Sequence, residues 1–140
     1  MRPPRTCAVW EDGAVDEVLR EALQPILSDL RREGLSEPRI EDRDWSRDPE
    51  RPSAMLWGPD GSGSGISVER SAALPERIAA VADQVQEWAI EELWGGSAAT
   101  NWPRCPHHPN SHPLLATTSD QTAVWVCPAD QATISRIGSL

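Results

Sequence analysis

The sequence predicts an α+β fold, two helices on a small antiparallel sheet followed by a separate β module, and three observations carry that prediction. Apolar residues recur at helical spacing in two segments, one starting at Val15 and one at Leu74. Short β-prone runs bracketed by Gly, Pro and Asp lie between and after them. Residues 97–140 differ in kind: they hold all three His and two of the three Cys, and Arg104 and Arg136 cancel Asp120 and Asp130. The net charge of -9 therefore belongs to the residues before them. A length of 140 residues suits one domain with a small appendage.

Residues 1–13, rich in Pro and Arg, read as a loose N-terminal arm. In the first helical segment Val15, Val18, Leu19, Ala22, Leu23, Ile26, Leu27 and Leu30 form one stripe. Pro25 inside it predicts a kink or the start of a second helix. Gly34-Leu35 predicts a Schellman ending, with Leu30 placed to meet Leu35. A charged, Pro-rich stretch follows, with a short strand near Arg39–Asp44. Ala54–Trp57 and Gly65–Glu69, joined through Pro59–Ser64, read as a hairpin. The second helix begins near Pro75, aligns Leu74, Ile78, Val81, Val85 and Trp88, and should stop at Gly95-Gly96. These elements make an acidic α+β domain over 14–96. In 97–140, strands are expected at Leu114–Thr118, Thr122–Val126 and Thr133–Ile137.

The composition narrows both core and partners. Phe, Tyr and Lys are absent while Ala, Arg, Pro and Gly abound, the bias of a high-GC bacterial genome. Seven Trp must then supply the aromatic volume of a lean core. Trp57, Trp88 and Trp125 fall in regular elements; Trp10, Trp45, Trp94 and Trp102 fall at loops or element ends, where one or two can face a partner. The acidity argues against nucleic acid and anionic membranes, and no apolar run is long enough to span a bilayer. No apolar segment follows the basic start, and three Cys cannot form a complete disulfide set, so reduced thiols in the cytoplasm are expected.

The motif that carries chemistry is Cys105-Pro106-His107-His108-Pro109-Asn110-Ser111-His112, then Cys127-Pro128-Ala129-Asp130. Written as a pattern it is C-x2-H-x3-H-x14-C. Zinc takes four thiolate or imidazole donors in a tetrahedron, and pairs two or three residues apart let one tight turn supply two of them. The intervening residues accommodate two short strands, as a zinc-ribbon-like module requires. A Pro fixes the backbone after each Cys. His108 is preferred to His107, because C-x2-H fits a knuckle. His112 is the preferred fourth ligand; Asp130, at i+3 from Cys127, is the alternative and Cys7 a distant one. Against this stands a Pro-rich loop with two buried thiols and three exposed imidazoles. The metal set is then Cys105, His108, His112 and Cys127, a closed structural Zn2+ site.

This end of the chain, Trp102-Pro103-Arg104-Cys105-Pro106 through His112-Pro113-Leu114, with Trp125-Val126-Cys127-Pro128, resembles a group of small uncharacterised actinobacterial proteins. Their tails read C-P-x-H-P-x-x-H-P-L…W-x-C-P, and the likeness reaches back through Ala82–Trp88. The resemblance implies a zinc-ribbon-like tail with ligands at Cys105, His108, His112 and Cys127. It implies no activity.

Catalytic patterns fail on spacing. Zinc deaminases need a His before P-C-x-x-C, H-E-x-x-H is absent, and the HNH letters are too compressed. Gly61–Gly65 has no following Gly-Lys, so it reads as a hairpin tip rather than a phosphate loop. Glu87 and Glu91 share a helix face best explained as solvated. Cys7 with a His lacks anything to lower its pKa. The expected role is a non-enzymatic, acidic protein-binding module, inhibitor- or immunity-like, whose partner is a basic protein. The alternative is a zinc-dependent hydrolase with an open coordination position. The sequence is silent on oligomeric state.

Overall fold

The computed structural model describes residues 9–11, 15–94 and 101–140. The rest of the N-terminal arm, Cys7 and the Gly95-Gly96 helix stop lie outside the described residues. Elements follow in the order β1 (Val9–Glu11), α1 (Glu17–Arg32), β2 (Arg39–Asp42), β3 (Ser53–Trp57), β4 (Gly63–Ser67), α2 (Leu74–Trp94), β5 (Leu115–Ser119), β6 (Thr122–Val126) and β7 (Thr133–Arg136). This is an α+β fold with a small C-terminal β module. No helix among the described residues is long and apolar enough to cross a membrane.

Helix α1 begins at an N-cap, Asp16, whose Oδ1 accepts the Val18 N–H at 2.9 Å and whose carboxylate also pairs with Arg70 at 2.8 Å. It runs as one helix through Pro25, rather than splitting in two there. The stripe of Leu19, Ala22, Leu23, Ile26, Leu27 and Leu30 is fully buried on both sides of the proline, and that shared burial outweighs the lost N–H bond. The helix closes as a Schellman motif. Leu35 N–H donates to Leu30 O at 3.0 Å, Gly34 N–H donates to Arg31 O at 3.1 Å, and Gly34 sits at φ +73°.

The first sheet has the order β1-β2-β3-β4. Strands β2, β3 and β4 are antiparallel; the β3–β4 hairpin matches its turn signals, but β4 starts at Gly63, two residues earlier than expected. Val9–Glu11, read from the sequence as part of the arm, pairs in parallel with β2 and forms one edge. Alternation sends Ile40, Ala54, Leu56 and Ile66 into the core. On the outer face Trp57 lies across Gly63 and Trp45 across Gly65, positions where a Cβ would meet indole atoms at 2.6 and 2.9 Å. Trp45 is 45% exposed, with Nε1–H bonded to Ala54 O at 3.0 Å.

Helix α2 packs Val81, Ala82, Val85, Trp88 and Ala89 between α1 and the second sheet, β5-β6-β7. That sheet is antiparallel; its β5–β6 hairpin turns through Asp120 and Gln121, both at positive φ, the geometry of a two-residue I′ connection. Core residues of the C-terminal module (Trp102, Leu114, Trp125, Ile137) join those of the helices in one cluster.

Candidate metal centre

The Cys- and His-bearing segment between α2 and β5 is a closed loop. Arg104 and Pro113 form an isolated antiparallel bridge, and Leu114 N–H donates to Pro103 O at 2.8 Å. From α2, the buried amide of Gln86 donates to both loop ends, Trp102 O at 3.1 Å and Leu114 O at 2.6 Å. Inside the loop, tight turns place His108 N–H on Cys105 O and Ser111 N–H on His108 O, each at 3.1 Å. The loop therefore turns three donors, from Cys105, His108 and His112, toward one point. The fourth arrives from β6, whose bulge between Trp125 and Val126 precedes Cys127. A turn closed by Cys127 N–H to Ala132 O at 2.9 Å and Gln131 N–H to Cys127 O at 2.8 Å holds that sulfur.

The four ligand atoms of Cys105, His108, His112 and Cys127 lie within 4.8 Å of one another, close enough to hold a metal ion. His108 Nδ1 stands 3.7 Å from Cys105 Sγ and 3.5 Å from Cys127 Sγ. Bond lengths of about 2.3 Å to sulfur and 2.0 Å to nitrogen set tetrahedral donors about 3.3–3.8 Å apart, so the spacing fits. Both sulfurs are fully buried and both imidazoles half-buried.

His112 gives an independent test of fit. Its Nδ1 lies 3.2 Å from Pro113 O, an acceptor that suits the tautomer with the proton on Nδ1 and the lone pair on Nε2. That Nε2 is buried and has no hydrogen-bond partner. A buried lone pair without a donor costs free energy, and a cation at the centre of the cluster satisfies it. The Pro113 carbonyl then serves as the outer partner that fixes a ligating imidazole.

Burial pushes the Cys127 thiol up, while the N–H groups of Asp130 and Ala129 act in the opposite direction. Asp130 itself turns to the other side. Its carboxylate accepts Ala132 N–H at 2.9 Å, faces His107 Nδ1 at 2.9 Å, and is lowered to about 2, chiefly by the Ala132 N–H and next by His107. Asp130 thus groups with His107 and Cys127 rather than with the other three donors. Glu87 and Glu91 are both exposed.

Two residues that anchor the site were not singled out by sequence reasoning. One is Gln86. The other is Asp29, fully buried on α1, whose oxygens accept Trp125 Nε1–H at 2.8 Å, Gly138 N–H at 2.7 Å and Leu140 N–H at 3.0 Å. Its signal was an acidic residue one helical turn after Ile26, at the edge of the apolar stripe. No family model, curated protein or solved structure matches the chain.

Proposed function

We propose that Cys105, His108, His112 and Cys127 hold one structural zinc ion, and that the protein is a non-enzymatic, acidic module that binds a basic protein partner in the cytoplasm. The observation that carries the zinc reading is the buried, unpartnered Nε2 of His112 beside two buried thiols and a second imidazole. Two thiolates and two neutral imidazoles neutralise a divalent ion and match the borderline softness of zinc. Four protein donors leave no position for a water, so the ion serves folding rather than hydrolysis, and the hydrolase reading ranks second. The likeness of this tail to the actinobacterial C-P-x-H-P-x-x-H-P-L…W-x-C-P group belongs to the same proposal.

The binding role rests on charge. The net -9 lies outside the C-terminal module, and Glu17, Glu21, Asp42, Asp44 and Glu50 are exposed on the remainder. Such a surface steers a basic partner and speeds encounter at low salt. An inhibitor or immunity-type protein is one form of this role.

Elemental analysis of the purified chain tests the zinc reading. One zinc per chain, lost in His112→Ala and kept in Asp130→Ala, supports it; no bound metal under reducing, chelator-free conditions overturns it. The binding role predicts a partner of net positive charge whose association slows about tenfold or more between low and physiological salt. A salt-independent association refutes the steering argument.

A further inference from the structure

A second group of donors stands outside the four-donor cluster and shares one sulfur with it. His107 Nδ1 and Asp130 Oδ2 lie 2.9 Å apart on side chains 47% and 45% exposed. Ligand atoms of both come within 4.8 Å of each other and of Cys127. Neither side chain is placed by chance contact. Asp130 is held by its own turn, its Oδ1 accepting Ala132 N–H at 2.9 Å, which leaves Oδ2 directed at His107. His107 is set by the same tight turn that aims His108 inward, the two rings crossing at 82° with centroids 6.1 Å apart. Adjacent residues of one turn therefore serve two groups that share Cys127: half-buried His108 belongs to the closed cluster and exposed His107 to the outer one.

We propose that His107, Asp130 and a bridging Cys127 thiolate form a second, solvent-exposed site for a zinc-class divalent cation beside the closed centre. The proposal rests on the zinc reading above, since Cys127 then serves both ions. An imidazole, a carboxylate and a thiolate suit a borderline d-block cation and disfavour magnesium or calcium, which take oxygen donors. A cation about 2.0–2.1 Å from nitrogen and oxygen holds them about 2.9–3.4 Å apart, so the His107–Asp130 pair needs little movement to accept one. The inner ion is balanced by two thiolates; the outer one gains only the Asp130 charge. Three protein donors leave a position for water or an anion, so the outer ion exchanges readily while the inner one stays.

The test is a metal titration of the full chain, stripped of metal and kept reduced. Zinc is added first to one equivalent, then Co2+ as the probe. The proposal expects a second, weaker equivalent, with a sulfur-to-cobalt charge-transfer band because the bridging thiolate contacts the added ion. His107→Ala and Asp130→Asn should each weaken that step at least tenfold and leave the first equivalent and the circular dichroism spectrum unchanged. One equivalent in the native chain, unaffected by either variant, overturns the second site and leaves the closed centre standing. A cobalt step without the sulfur band also overturns it, because the bridge is then absent. A single equivalent lost in Asp130→Asn and kept in His112→Ala overturns the closed centre instead.

Discussion

Replacing Asp29 with Ala should destabilise the protein by about 3 kcal/mol, and the figure follows from what the two oxygens hold. Three donors depend on them: the Trp125 indole N–H at 2.8 Å, and the backbone N–H groups of Gly138 at 2.7 Å and Leu140 at 3.0 Å. Trp125 is fully buried, so its N–H loses its acceptor with no route to water, which costs about 1–3 kcal/mol. Gly138 and Leu140 are half-exposed and can recruit water, so each falls nearer to about 0.5–1 kcal/mol. For a chain of this size, 3 kcal/mol lowers the Tm by about 10 °C. The assay is urea and thermal unfolding of the purified, reduced protein. Trp125→Phe removes one of the three bonds and should cost about 1–2 kcal/mol. The double variant should cost less than the sum, since both changes delete the same bond. A loss below about 1 kcal/mol for Asp29→Ala would mean that water or a rearranged tail replaces the bonds, and would refute the reasoning.

Removing the metal with a chelator, or making Cys105→Ser, should unfold at least the C-terminal module, seen as a red shift of the Trp102 and Trp125 fluorescence; an unchanged spectrum with metal absent would contradict a structural role. Gly34→Ala should cost about 1 kcal/mol, because Gly34 adopts φ +73° with open space around its missing Cβ, so the penalty is backbone strain alone; urea unfolding measures it. The Asp16 carboxyl lies below its ordinary value of 3.8, first through its hydrogen bond with Arg70. Its contribution is present above that value and is lost as pH falls through the lower, folded value. Arg70→Met should therefore weaken the acid dependence of stability below about pH 4, measured by urea unfolding at several pH values, while equal acid profiles would sink that assignment.

The elements were legible in the sequence where one period dominated. The α1 stripe, the Gly34-Leu35 ending and the β6 span Thr122–Val126 follow from apolar spacing and turn chemistry alone. Of the two outcomes expected at Pro25, a kink or a second helix, the second does not occur, because the apolar stripe is buried on both sides of the proline. Val9–Glu11 was hidden because a three-residue parallel edge carries almost no periodic signal, and its partner Arg39–Asp42 lies far along the chain. The gathering of Cys105, His108, His112 and Cys127 was readable, since ligand spacing is a sequence property. The direction of Asp130 was not: i+3 from a Cys permits ligation, but only the Ala132 N–H and His107 decide which way the carboxylate turns.

The polar residues buried outside the cluster explain how a metal held by loops can matter to the helices. Gln86 grips both ends of the ligand loop from α2, and Asp29 grips Trp125, two residues before Cys127, from α1. Trp125 in turn meets the edge of Trp102, with ring centroids 5.9 Å apart, and Trp102 stands at the start of the ligand loop. Each helix therefore holds one of the two segments that the metal would join. Without an ion, the Cys105 loop and the Cys127 turn would still be joined by the β5–β6 ladder and by Trp102 against Trp125, with Gln86 and Asp29 tying each segment to a helix by hydrogen bonds. Such bonds contribute about 1 kcal/mol each when made and cost more when one partner is stranded in the core. The buried amide and carboxyl stabilise only while the loop and β6 stay in place, so folding of the helical layer and of the C-terminal module is expected to be cooperative rather than independent.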